Sequence, residues 1–221
     1  METALPARGR IGRKIALVAL ALVAAAAAAY VFAPRSADLR AFDPATTARA
    51  ETAMWRHYYE KRYLPLFLDL YGLARTEQGF SPWDSFSLAL SAARAAKKFQ
   101  PSRSRAEANA ALPQLIEYFR TLSLAAPVAV DVEKLAETEL DWWQARREKV
   151  KPEIYGLTIA RVSSLLYGKD DDNVRQSGLI RANAMAHRDA RDQQMTDADW
   201  DSIAEQLTRS YRLLKASVGA R

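Results

Sequence analysis

The sequence predicts an all-α protein: an N-terminal single transmembrane helix followed by a compact bundle of about seven helices. Three observations predict it. Residues 15–33 run for 19 positions without a charge. Beyond them, apolar residues recur at helical spacing, and residues 127–132 are the one short strand-like stretch. Helix-start signals, Ser, Thr or Asp caps and several prolines just behind them, punctuate the chain.

The apolar run would be roughly 28 Å long as a helix, close to the thickness of a bilayer core. Arg8, Arg10, Arg13 and Lys14 precede it, against Arg35 and Arg40 just after it. That bias favours a cytoplasmic tail at 1–14, a signal anchor at 15–33 in the inner (plasma) membrane, and an extracytoplasmic remainder, periplasmic in a Gram-negative cell. The competing reading is a cleaved signal peptide and a secreted product, because ten of the 19 residues are alanine and offer small-x-small cleavage sites. Residues 34–42 read as a linker and 43–218 as the extracytoplasmic domain.

Within that domain, Asp43-Pro44 caps and opens the first bundle helix. Its stripe is Trp55, Tyr58, Tyr59, Tyr63, Leu66, Leu70 and Leu73, and Pro65 is expected to kink or split it near Tyr63. Ser81-Pro82-Trp83-Asp84 opens the second, with Trp83, Phe86, Leu90 and Ala93 as its apolar stripe. Ser104 starts the third, kinked at Pro113. Asp131 caps the fourth, and Pro152 and Gly168 bound the fifth. Residues 170–172 begin the sixth. Residues 196–199 begin the seventh, whose stripe is Trp200, Ile203, Leu207, Tyr211, Leu214 and Val218.

Composition narrows the function. The chain has no cysteine and two histidines in 221 residues, which excludes thiolate chemistry and histidine-rich metal sites. The formal net charge of +6 suggests nucleic acid at first sight. Residues 1–35, however, hold five basic residues and one acidic one, leaving +2 for the rest of the chain. The charge thus reports topology, and no nucleic-acid partner is expected.

Two segments concentrate chemistry. One is the aromatic-basic stretch at 55–63, from which Trp55 and Tyr58 are candidates. The other supplies Glu139, Trp142, Trp143, Arg146 and Arg147. Ala50-Glu51-Thr52 ahead of Trp55 faintly echoes Ala136-Glu137-Thr138 ahead of Trp142. Arg181, Arg188 and Asp192 share a face of the sixth helix that reads as solvated. No catalytic, cofactor or metal-ligating residue is assigned. The expected role is a membrane-anchored binding or scaffolding module of the bacterial cell envelope with a protein partner. The rival is a small-ligand binder or enzyme with a polar pocket between the first and fourth bundle helices.

Overall fold

The computed structural model describes residues 7–219, and among them no strand is present. An N-terminal helix α1 (Ala7–Phe32) leads to α2 (Pro44–Tyr59), α3 (Tyr63–Gly72), α4 (Pro82–Phe99), the single turn α5 (Arg105–Ala108), α6 (Leu112–Leu122), α7 (Val132–Arg147), α8 (Pro152–Tyr167), α9 (Asp172–Arg191) and α10 (Asp197–Val218). Nine helices therefore follow α1 among the described residues, where the sequence suggests about seven. Both extra breaks have local causes. The first bundle helix ends at Tyr59 with Glu60 as its C-cap, and Lys61 turns the chain with φ 58°. Pro65 lies two residues inside α3, in the first turn, where a missing N–H breaks no intrahelical bond. Likewise a 3₁₀ turn, Asn109–Ala111, separates α5 from α6, and Pro113 falls in the first turn of α6.

The helix starts follow side-chain caps. Asp43, Ser81, Ser104, Asp131 and Asp171 each accept from a backbone N–H three residues on. Thr196 and Asp199 form a reciprocal capping box. Asp199 also takes His187 at 3.0 Å and Arg191 at 3.1 Å, fastening α9 to α10. These hydrogen bonds hold its carboxyl well below the usual range, led by that from Thr196.

Two packed regions flank the centre of the domain. In one, α8, α9 and α10 stack with α2. The α8–α9 crossing is close because Gly178 carries no side chain: a Cβ there would stand 2.4 Å from the Gly156 carbonyl oxygen and 2.6 Å from the Ala160 nitrogen. The stripe of α10 faces inward, with Trp200, Ile203, Leu207, Leu214 and Val218 buried. In the other region α4, α6, α7 and α8 gather around Leu88, Leu115, Phe119 and Leu135.

Three features depart from the sequence expectation. On α4, the stripe of Trp83, Phe86, Leu90 and Ala93 does not form the buried face. Ser85, Leu88, Ala89, Ser91 and Ala95 do, while Trp83 is 49% and Phe86 40% exposed. Small residues suit the face that packs against α6, so the large aromatics are left outward. The stretch read as a linker is not free: Leu39 and Phe42 are buried, and the Leu39 N–H donates to Ala125 O at 3.0 Å. Finally, Arg181 and Arg188 of α9 do not form a solvated face. Arg181 bonds Glu51, and Arg188 lies 3.3 Å over the Tyr59 ring.

Within α1, Gly12–Phe32 is 21 residues long and apolar enough to cross a membrane, a length and composition that a signal sequence shares. The Phe32 ring, at its end, meets Trp83 of α4 at 5.3 Å between centroids.

Candidate functional site

A cavity of about 430 Å³ lies between the two packed regions. That volume is within the range of small-molecule sites. Of the seven residues singled out in the sequence, Trp55, Tyr58, Glu139, Trp142, Trp143 and Arg146 line it. Arg147 does not. Its guanidinium turns to the C-terminal end of α4, donating to Phe99 O at 2.7 Å and to Ser102, and stacks on the Phe99 ring at 3.6 Å. Among the six, Trp142 is buried and meets Trp143 edge-on, so the adjacent tryptophans present no parallel stacking platform.

The cavity has two chemically different walls. The apolar wall comes mainly from α3, α4 and α6, with Leu66, Leu70, Ala92, Ala96, Leu115 and Phe119. The polar wall comes from α2, α7, α9 and α10. There the Arg181 guanidinium pairs with Glu51, whose other oxygen accepts from the Tyr211 hydroxyl at 2.5 Å. Glu51 is only 4% exposed, whereas Arg181 keeps 32% of its side-chain surface although it lies inside the fold, and that surface faces the cavity. Glu139 accepts from the Trp143 indole N–H at 2.9 Å. Arg146 is held by Asp189 at 2.7 Å and by the Tyr59 hydroxyl.

Burial sets the electrostatics. It pushes the Glu139 carboxyl up, against the opposing pull of its indole hydrogen bonds and of Arg181. It pushes the Tyr118 hydroxyl up to about 12 and raises Tyr58 and Tyr211 as well. Desolvation disfavours the charge on Arg181, but Glu51, Tyr211 and Glu139 outweigh it and keep the guanidinium charged. The cluster Glu51–Arg181–Glu139 is therefore neutral when Glu139 holds its proton and carries one negative charge when it does not. Two polar atoms of the lining, Thr47 Oγ1 and Arg181 Nε, are buried with no hydrogen-bond partner among the described residues.

Comparison of the chain with protein families, curated proteins and solved structures finds no match in any of the three. The functional reading therefore rests on geometry.

Glu51, Arg181 and Tyr211 are the site residues that sequence reasoning misses. One signal points to Glu51. Glu51 stands four residues before Trp55, as Glu139 stands four before Trp143, and all four residues line the cavity. The shared E-x-x-x-W spacing puts each carboxylate on the same helix face as its indole. The Ala-Glu-Thr echo instead aligns Glu51 with Glu137, which is exposed. Nothing in the local pattern separates Arg181 from a solvated arginine, because its partner lies 130 residues away. Among the described residues no group of three or more His, Asp or Glu is arranged to hold a metal.

The site offers recognition: a fixed cation, carboxylates, phenol and indole donors on one side and aliphatic surface on the other. Binding an amphipathic molecule there would bury its apolar part against α3, α4 and α6 and set its polar part against Arg181 and the tyrosine hydroxyls of the opposite wall.

Proposed function

We propose that this protein is a membrane-anchored, extracytoplasmic helical domain that binds a small amphipathic molecule with an uncharged, hydrogen-bonding head. This reading takes up the rival of the scaffolding role. The observation that carries it is the charge-compensated Glu51–Arg181–Glu139 cluster, with part of the Arg181 side chain left exposed, on one wall of an otherwise apolar cavity. An uncharged head matches a cluster that holds no surplus positive charge to attract an anion. The anchor reading rests on the length and composition of α1 and on the basic residues before it.

The test uses the full chain in lipid nanodiscs with a photoreactive monoacylglycerol carrying a diazirine in its acyl chain. Labelling is expected in peptides of α6 and α7, which line the cavity away from the outward face of α3 and α4, in competition with unlabelled monoacylglycerol. It is expected to exceed labelling by the matching fatty acid, and to be lost in Ala96→Phe, which fills the apolar wall. Labelling confined to α1, or unchanged by Ala96→Phe, would refute the proposal. Alkaline phosphatase fused after Arg221 is expected to be active in cells, and an expressed but inactive fusion overturns the topology.

A further inference from the structure

Helix α3 has the sequence YLPLFLDLYG and is apolar around nearly its whole circumference. Such helices are normally enclosed by protein or lipid. Yet no residue of α3 is buried. Leu66 and Leu70 line the cavity, while Leu64, 70% exposed, and Leu68 project from the opposite side. The single acid of the helix, Asp69, is taken by His57 at 2.7 Å.

The outward side of α3 continues into α4. Phe67 meets Phe86 at 5.7 Å, Phe86 lies 6.0 Å from Trp83, and Trp83 lies 5.3 Å from Phe32 at the end of α1. The result is one unbroken apolar surface from the end of the candidate membrane helix across two bundle helices. It exists because the first turns of α4 put Ser85, Leu88 and Ala89 inward and Trp83 and Phe86 outward. Exposed Lys61 and Arg62 stand at its edge, at the start of α3. Residues 34–43 are no slack tether: Leu39 is buried, its N–H bonds Ala125 O, and Tyr167 donates to its carbonyl at 3.2 Å. The domain is thus held against the end of α1.

We propose that the outward face of α3 and the start of α4 lie in the interfacial layer of the membrane that α1 enters, with lipid as their occupant. Trp83 and Tyr63 suit the headgroup level, the leucines and phenylalanines the acyl boundary below it, and Lys61 and Arg62 the anionic headgroups. Continuity with α1 selects lipid over a protein partner or a second copy. Ile154 and Leu157 of α8 are exposed too, but among the described residues the aromatic contact of α1 runs to Trp83 of α4 and not to α8. The inference rests on reading α1 as a membrane span and is independent of what the cavity binds.

The absence of cysteine makes the test direct. Full-length single-cysteine variants Leu20→Cys, Leu64→Cys, Phe86→Cys and Ile154→Cys are labelled with an environment-sensitive fluorophore. They are reconstituted in vesicles of phosphatidylethanolamine and phosphatidylglycerol. Quenching by nitroxide-bearing lipid is then set against quenching by aqueous iodide. Lipid quenching at positions 20, 64 and 86 is expected to be several-fold stronger than at 154, with the order reversed for iodide. Quenching at 20 but not at 64 or 86, with iodide reaching both, overturns this inference and leaves the anchor intact. Positions 64 and 86 shielded from both quenchers would mean a protein cover, and also overturn it. Failure at 20 itself removes the anchor reading, and the inference falls with it.

Discussion

The α8–α9 crossing and the α3–α4 layer use small residues to opposite ends. At the crossing, Gly178 lets two helices approach until no Cβ fits at its position, Gly156 adds a second close contact, and the large side chains of the neighbouring α10 point into the domain. In the α3–α4 layer, small residues of α4 with Leu88 again mark the packed face, but Trp83 and Phe86 point away from the protein and no residue of α3 is fully buried. The first arrangement places apolar surface against protein. The second leaves it for something else, and the cavity lies between the two.

The comparison can be broken or sharpened by substitution, with unfolding followed by circular dichroism in detergent. The largest effect is expected for Arg181→Met, which leaves Glu51 buried without its cation, at about 3–5 kcal/mol of lost stability. Next comes a pair on one helix. Leu88→Ala is expected to cost about 2–5 kcal/mol, and Phe86→Ala, three-fifths buried by area but facing outward, less than about 1 kcal/mol. Equal costs would mean that the outward face of α4 is packed like a core. A third test uses glycines: Gly178→Val should cost about 3 kcal/mol. Gly72→Ala, where a Cβ meets nothing within 4 Å, should stabilise by about 0.5–1 kcal/mol.

Another small effect carries a pH signature. Burial raises the Glu139 carboxyl, so the folded chain holds this proton more tightly than the unfolded chain. The contribution is complete below the ordinary glutamate range and is lost as pH rises through the raised folded value. Glu139→Gln removes that loss. It is expected to be more stable than the wild type by about 1 kcal/mol at neutral pH, with the gain vanishing toward pH 4. A constant gain across that range would place the effect elsewhere than in the proton.

Much of the fold is legible because caps and stripes are local. Asp43-Pro44, Ser81-Pro82, Asp131 and the Thr196–Asp199 box each mark a helix start that the structure has. The α10 stripe is legible because its large apolar residues are also its buried ones. On α4 that coincidence fails: periodicity identifies an apolar stripe but not whether protein lies against it. Six of the seven candidate residues line one cavity because two helices carry them at helical spacing. Arg147 is one position past Arg146, and that rotation of about 100° turns it to the end of α4 instead. Arg181 escapes sequence reasoning because its role is set by a carboxylate from another helix.

The break at Lys61 and the π-helical turn at Leu73–Glu77 leave α3 joined to the domain by two short turns, the His57–Asp69 pair and one side of its own apolar surface. A helix without a buried residue opens at far lower free energy than the fold as a whole. Of the cavity's walls, α3 is therefore the one that opens most readily, and amide exchange is expected to be faster there than across the α8–α9 crossing. Substitutions that strengthen that crossing would raise the melting temperature and leave the opening of α3 unchanged.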